Sequence, residues 1–167
     1  MRPELLLHPN VPKPLHGMSP RELLGDVWWN ETRKIVYQKA DYRCQCCGVY
    51  KNDAKYHKWL EAHETYSYDY KNGVATVTEI VALCHSCHQY IHSGLLKVLW
   101  ETGKITNEKY RDILSHGDKI IKEAGLKKPA NPTQIADWSK WCIVIDGKKY
   151  KTKWKSFEHW AKHYNRN

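Results

Sequence analysis

Two short segments decide the organisation of this chain: Cys44-Gln45-Cys46-Cys47-Gly48 and Leu83-Cys84-His85-Ser86-Cys87-His88-Gln89-Tyr90-Ile91-His92. Each contains a Cys-x-x-Cys pair, and two such pairs can supply four thiolates to one tetrahedral zinc ion. The predicted zinc ligands are Cys44, Cys47, Cys84 and Cys87. Gly48 suits the tight turn of a zinc knuckle, because glycine adopts a positive φ without strain. Cys46 has a poor spacing for a ligand, and Cys142 is predicted to be an apolar core residue.

The composition favours one basic domain with an appended lobe. The chain has 167 residues, a formal net charge of +9 and a pI near 9.2. A basic protein favours acidic partners, most commonly nucleic acid, and a solvated basic surface is the alternative interpretation. No apolar segment approaches the ~20 residues of a membrane span, and the opening residues lack a signal-peptide pattern. We therefore expect a cytoplasmic protein that uses cysteine for metal binding rather than for disulfides.

The first half of the chain predicts helices followed by a pair of strands. Four prolines predict an extended arm over 1–18, because proline removes a backbone donor and disfavours helix at the preceding residue. Ser19 and Glu22 form a helix-start pattern, Gly25 is a helix stop, and Asn72-Gly73 is a turn signal. The predicted elements are helices over 19–25 and 28–41 and strands over 57–66 and 74–83.

The second half predicts three helices and a β-hairpin. Gly94 is expected to interrupt the first of these helices, and a basic, proline-containing linker covers 127–132. The predicted elements are helices over 86–102, 107–124 and 157–164 and strands over 141–145 and 148–154. The chain is therefore expected to have an α+β fold with three consecutive parts. These are an extended N-terminal arm (1–18), a zinc-containing domain with flanking helices (19–126) and a basic hairpin–helix lobe (127–167).

A second metal-type pattern follows the second cysteine pair. His88 and His92 are four residues apart on a predicted helix, so their imidazoles lie on one face. A helical histidine pair alone is more often structural than metal-binding. Here the helix leaves a zinc knuckle and a strand carrying His63 lies upstream, so three imidazoles could converge on one metal ion.

These motifs in combination resemble the HNH endonucleases over about residues 28–95. The resemblance rests on the first cysteine pair, on Leu60-Glu61-Ala62-His63-Glu64 and on the segment from Leu83 to His92. It implies a ββα-metal core in which a four-cysteine structural zinc braces the strand pair. It also implies an enzyme that hydrolyses phosphodiester bonds of DNA with the help of a catalytic divalent ion (Mg²⁺, Mn²⁺, Ni²⁺ or Zn²⁺). RNA is a further possible partner. Small proteins of this kind resemble nucleases carried by phages and bacteria.

The resemblance also implies roles for individual residues, with two alternatives on the strand. Cys44, Cys47, Cys84 and Cys87 match the structural zinc ligands, and His88 and His92 match the helix ligands of the catalytic metal. In one register His63 is the third metal ligand and Glu64 takes the place of the general base. In the other register His63 is the base, and Ala62 has lost a ligand.

Departures from the family pattern support an alternative function. The asparagine that such enzymes carry before the second cysteine pair falls near Thr78 and Glu79 here. A catalytically degenerate zinc module that binds nucleic acid, or a protein partner through the C-terminal lobe, therefore remains the alternative. Glu61 and Asp69 are further acidic residues, expected to be solvated rather than catalytic.

Lysines on the last predicted strand are a possible phosphate-binding face. The alternating residues are Lys149, Lys151, Lys153 and Lys155. Alternate residues of a strand project from one side, so these side chains could follow a nucleic-acid backbone. The alternative role is an edge strand whose charges prevent aggregation.

Overall fold

The computed structural model describes residues 1–164 and has an α+β architecture. The described part contains a four-stranded mixed sheet and five α-helices. The helices are α1 (Pro20–Lys39), α2 (His85–Ile91), α3 (Ser93–Glu101), α4 (Asn107–Glu123) and α5 (Phe157–Tyr164). The strands are β1 (Glu61–Asp69), β2 (Val74–Leu83), β3 (Cys142–Ile145) and β4 (Lys148–Lys151). Among these residues, no helix is both long and apolar enough to cross a membrane.

The sheet has the strand order β1-β2-β3-β4. β3 pairs parallel to the start of β2, with Val74 opposite Cys142, and antiparallel to β4. The turn predicted between β1 and β2 is confirmed. There the backbone N–H of Asn72 donates to the Asp69 carboxylate (3.0 Å), and Gly73 has a φ of 71°. Glycine is needed at this position because other residues are strained at a positive φ.

One compact unit comprises residues 1–10, 33–63 and 80–129. Its core is built from the end of β2, from α2 to α4 and from the first cysteine pair. Central members of this core are Leu83, Leu96 and Ile113. Residues 3–7, predicted as part of an extended arm, form a 3₁₀ turn whose Leu5 and Leu6 side chains are buried in the same core. This unit carries the two cysteine pairs and all three predicted histidines.

The second compact unit comprises residues 11–32, 64–79 and, within the described range, 130–164. Its core surrounds the fully buried Trp141, with Leu15 and Ile143 among its neighbours. Trp154 donates from its indole N–H to the carbonyl of His16 (2.8 Å). Both units are assembled from separated segments, whereas the sequence predicts three consecutive parts.

Local signals at the start of α1 are confirmed. The backbone N–H of Ser19 donates to the Glu22 carboxylate (2.9 Å), and the N–H of Glu22 donates back to the Ser19 hydroxyl (3.4 Å), which is a capping box. Gly25 has non-helical angles (φ 88°, ψ 167°), so α1 is two helical segments joined at the predicted stop.

Three predicted boundaries are wrong. β1 begins at Glu61 rather than at residue 57, and the break between α2 and α3 falls at His92 (φ −85°, ψ 41°) rather than at Gly94. β4 ends at Lys151, so Lys153 and Lys155 do not extend the strand. The reason is that Thr152 turns its hydroxyl onto the Pro14 carbonyl and Lys153 donates to the carbonyl of Gly17 (2.8 Å). The expected row of four lysines on one strand face is therefore absent.

Candidate metal centres

The four predicted cysteine ligands lie together, and we call them the cysteine cluster (Cys44, Cys47, Cys84 and Cys87). Their sulfur atoms all lie within 4.8 Å of one another. The first pair lies in a tight turn, where Gly48 (φ 78°) donates its backbone N–H to the carbonyl of Cys44 (2.8 Å). The second pair lies at the start of α2, where Cys84 is the N-cap. These four cysteines could hold a metal ion.

The electrostatics of the cysteine cluster favour a bound cation. Hydrogen bonding from Cys44, and then from the other thiols, lowers the pKa of Cys47, while hydrogen bonding within the cluster raises the pKa of Cys87. Four thiols at this spacing cannot all ionise without a neighbouring positive charge. His116 on α4 adds a polar contact, with Nε2 3.4 Å from the sulfur of Cys87.

The two remaining cysteines lie outside this cluster. Cys46 is within the first turn and is almost fully buried, yet it is not part of the group of potential ligands. Cys142 is buried in β3, as predicted for an apolar core residue.

Three histidines form a second group, which we call the histidine cluster (His63, His88 and His92). Their potential ligand nitrogens all lie within 4.8 Å of one another. The ring of His63 is centred 5.4 Å from that of His88 and 5.0 Å from that of His92. His63 lies on β1, His88 lies on α2 and His92 is the C-cap of α2. The backbone N–H of His92 donates a hydrogen bond to the carbonyl of His88 (3.2 Å).

Burial favours the neutral form, which metal ions require, at two members of the histidine cluster, His63 and His92. Burial, and then the charges of His88, His92 and His8, lowers the pKa of His63 to about 2. Burial, and then the charge of His88, lowers the pKa of His92 to about 4. The Nε2 atom of His63 is buried and has no hydrogen-bond partner among the described residues. An unpartnered buried nitrogen is costly, and a bound cation would satisfy it.

Glu61 contacts three histidines, a role that was not predicted from its sequence. Its Oε1 atom accepts from Nδ1 of His85 (2.7 Å) and from Nδ1 of His57 (3.2 Å). Its Oε2 atom lies 2.5 Å from Nδ1 of His88. Burial raises the pKa of Glu61, but the hydrogen bond from His85 and the close contact with Nδ1 of His88 outweigh it, and the net pKa is lowered. Glu61 is therefore an ionised, largely buried carboxylate rather than the solvated residue expected.

One sequence signal could have identified Glu61. It lies two residues before His63 on β1, and residues i and i+2 of a strand project from the same face. A carboxylate and an imidazole on one strand face are a typical ligand and orienting pair at metal sites. His57 and His85 carry no comparable signal, because the first lies in a loop and the second lies inside a cysteine knuckle.

Glu64 is not part of the histidine cluster. It follows His63 directly on β1, so strand alternation directs its side chain to the opposite face. Its carboxylate accepts a hydrogen bond from the hydroxyl of Tyr66 (3.3 Å) within the second unit. The expected acidic residue Asp69 instead holds the turn before β2.

Comparison of the chain with protein-family models, curated proteins and solved structures gives no match. The functional interpretation therefore rests on the residues of these centres.

Proposed function

We propose that the protein is a metal-dependent HNH-type endonuclease that hydrolyses DNA phosphodiester bonds. The observation that carries this proposal is the histidine cluster, in which one histidine from β1 meets one from α2 and the C-cap of that helix. The order of the elements also supports it, because β1, β2 and α2 follow one another as strand, strand and helix. The cysteine cluster at the start of α2 lies where a structural metal would brace that helix.

The cysteine cluster is the proposed structural zinc site. Thiolates are the ligands that zinc prefers at closed, four-coordinate sites, and a metal bound by four protein ligands has no open position for a substrate. Such a site joins the turn at Gly48 to the start of α2, which carries His88 and ends at its C-cap, His92. Its role in this proposal is to position the histidines.

The histidine cluster is the proposed catalytic centre. When bound there, a divalent ion would act as a Lewis acid on the scissile phosphate and on the leaving oxygen. The donor set consists of imidazole nitrogens, which suit Zn²⁺ or Ni²⁺ better than Mg²⁺ or Mn²⁺, ions that prefer oxygen ligands. Glu61 contacts Nδ1 of His88, which fixes the ring and leaves Nε2 available as the ligand atom.

The geometry favours one of the two registers left open by the sequence. The side chain of His63 joins His88 and His92, which supports its role as a third ligand. In this register Glu64 occupies the chain position of the general base. Its contact with Tyr66 and its place on the other strand face argue against a direct role at the histidine cluster.

Basic residues of the same unit support a nucleic-acid partner. Lys34 and Lys39 on α1 and Arg43 beside the first cysteine pair are exposed. Cations of this kind contact phosphates without reading the sequence of the bases. Salt-sensitive binding to DNA is therefore the expected behaviour of this surface.

A plasmid-nicking assay tests the proposal. Tag-free protein is incubated with supercoiled plasmid and Zn²⁺, Mn²⁺, Ni²⁺ or Mg²⁺, beside the variants His88→Ala and His92→Ala. We expect nicking by the native protein with a transition metal and its loss in both variants, with one thiolate-bound zinc retained. His159→Ala, at an exposed histidine of the second unit, is the matched control. Intact supercoiled, linear and single-stranded DNA under all four metals would overturn the proposal.

A degenerate HNH-like module that binds without cutting is the second candidate. Two departures from the family pattern favour it. Glu64 stands at the chain position of the general base, and the region where the family asparagine is expected carries threonines instead. There the hydroxyls of Thr65 and Thr78 are hydrogen-bonded (2.7 Å), and neither side chain supplies an amide. This alternative predicts salt-sensitive retention of DNA or RNA, or capture of a protein partner by the C-terminal lobe, with no cleavage. Zinc content and DNA retention measured on the same samples separate the two candidates.

A further inference from the structure

A third group of potential ligands lies beside the histidine cluster, and we call it the Glu61 cluster (His57, Glu61 and His85). Its potential ligand atoms all lie within 4.8 Å of one another. The three residues come from different places: the loop before β1, the first position of β1 and the first position of α2. None of them belongs to the histidine cluster or to the cysteine cluster.

We propose that the Glu61 cluster binds a separate divalent transition-metal ion through two imidazoles and one carboxylate. Two histidines and one carboxylate are a common donor set for Zn²⁺, Co²⁺, Ni²⁺ and Fe²⁺. The site does not depend on nuclease activity, because no step at the histidine cluster is needed for an ion to bind here.

The distances within the cluster fit this donor set. Ligands about 2.0–2.1 Å from a tetrahedral zinc ion are separated from each other by about 3.3 Å. The Nδ1 atom of His57 lies 3.2 Å from Oε1 of Glu61, which matches this separation. The Nδ1 atom of His85 lies 2.7 Å from the same oxygen, so this pair would separate by about half an ångström when an ion replaces the shared proton.

Neighbouring aromatic rings fix the two imidazoles. His57 is stacked on Trp59, with ring centroids 4.3 Å apart and planes 18° apart. His85 meets the edge of Tyr56 at 5.9 Å, and the two imidazoles are centred 3.9 Å from each other. A preformed arrangement lowers the entropic cost of ion binding, because the ligands do not have to be ordered first.

Partial exposure leaves room for an entry path and for a water ligand. The side chain of His85 is 9% exposed, whereas those of Glu61 and His57 are 20% and 30% exposed. Three protein ligands with one open side are typical of a site whose fourth position is taken by water.

Occupancy of this site would also act on the histidine cluster. Glu61 uses Oε1 toward His57 and His85, and it uses Oε2 toward His88. An ion on Oε1 would hold the carboxylate in place and so fix the ring of His88. Glu61 thereby links the two groups without a shared ion.

Metal counting on the full chain tests the proposal. Tag-free, metal-free protein is reconstituted with excess Co²⁺, freed of loosely bound ions and analysed for cobalt and protein. One ion per group gives three equivalents in the native protein. His57→Ala and His57→Gln are each expected to lose one equivalent, with the thiolate-to-cobalt absorption band of the cysteine cluster unchanged. His57→Gln keeps a hydrogen-bond donor near Glu61, so its loss of an ion would exclude a purely hydrogen-bonded role.

Controls make the outcome independent of the proposed nuclease. His159→Ala is expected to retain all three equivalents of cobalt. His92→Ala is expected to lose the equivalent bound at the histidine cluster. The double variant His57→Gln with His92→Ala is then expected to lose two equivalents, which shows that the two sites are separate. Equal cobalt content in the native protein and both folded His57 variants would overturn the proposal. A nuclease assay without cleavage would leave this count unaffected.

Discussion

The Nδ1 atom of His88 lies 2.5 Å from Oε2 of Glu61, and the same carboxylate contacts two further imidazoles through Oε1. This contact gives a buried carboxylate a direct influence on a predicted metal ligand. At established metal sites, carboxylates that hold the outer nitrogen of a ligating histidine fix its tautomer and raise its basicity.

The first prediction concerns this contact. Glu61→Gln keeps the shape of the side chain but removes its charge, and we expect about a 10–100-fold loss of metal affinity at the histidine cluster. The measurement is a chelator competition with Co²⁺ in a His57→Gln background, so that the Glu61 cluster does not contribute. Glu64→Gln is the matched control, since Glu64 contacts Tyr66 instead. Equal losses in both variants would show that the effect is not specific to the His88 contact.

The second prediction concerns the cysteine cluster. Cys84→Ser removes one of four thiolates, and we expect loss of the thiolate-bound metal and of cooperative unfolding of the first unit. Structural zinc in small domains contributes on the order of 10 kcal/mol of apparent binding free energy, which is comparable to the whole stability of a typical domain. Thermal unfolding and metal analysis are the measurements.

Cys46→Ala is the matched control for this prediction. Cys46 is as buried as Cys44, but it is not a member of the cluster. We expect unchanged metal content and a loss of about 1 kcal/mol from the smaller buried side chain. Loss of metal in the Cys46 variant would contradict the assignment of the ligands.

The third prediction concerns the packing of α4 on α2. A Cβ atom at Gly117 would overlap the ring of Tyr90, whose hydroxyl donates to Asp118 (2.7 Å). We expect Gly117→Ala to destabilise the protein by about 1–3 kcal/mol, because overlap in a packed core outweighs the better helix propensity of alanine. Denaturant unfolding measures the change.

Gly94→Ala provides the comparison at another helical glycine. Apart from its chain neighbours and the backbone of its own helix, no atom of residues 1–164 lies within 4 Å of a Cβ atom placed at Gly94 on α3. The variant is therefore expected to be neutral or to gain up to about 1 kcal/mol from helix propensity. Similar effects at both glycines would contradict the close contact with Tyr90.

The fourth prediction concerns the pH dependence of the second unit. Burial lowers the pKa of His16 below its usual 6.5, and its Nδ1 atom accepts from the indole N–H of Trp160 (3.3 Å). Between the lowered pKa and 6.5 the unfolded chain binds a proton that the folded chain does not. The contribution of His16 to stability is therefore complete above pH 6.5 and is lost as the pH falls below it.

Urea unfolding at pH 7.5 and at pH 5.5 checks this expectation. The native protein should lose more stability on acidification than His16→Gln, which does not titrate. The difference between the two proteins isolates His16 from the buried histidines of the first unit. An identical pH dependence in both would refute the role of His16.

The sequence by itself determined the elements that local chemistry specifies. The bounds of β2 agree with its run of β-branched residues, and the Asn72-Gly73 turn and the capping box at Ser19 are as expected. The grouping of four cysteines also follows from spacing alone, because each pair is local and one tetrahedral ion needs both. Signals of this kind act over a few residues and need no knowledge of the packing.

Only the tertiary structure decided the surroundings of Glu61 and the pairing of β2 with β3. Glu61 meets His85 across 24 positions of the chain, and Val74 pairs with Cys142 in a parallel register. No local pattern encodes such contacts, because they depend on how buried surfaces pack together. The same packing largely buried Glu61, an acidic residue that was expected to be solvated, and so brought three imidazoles around one negative charge.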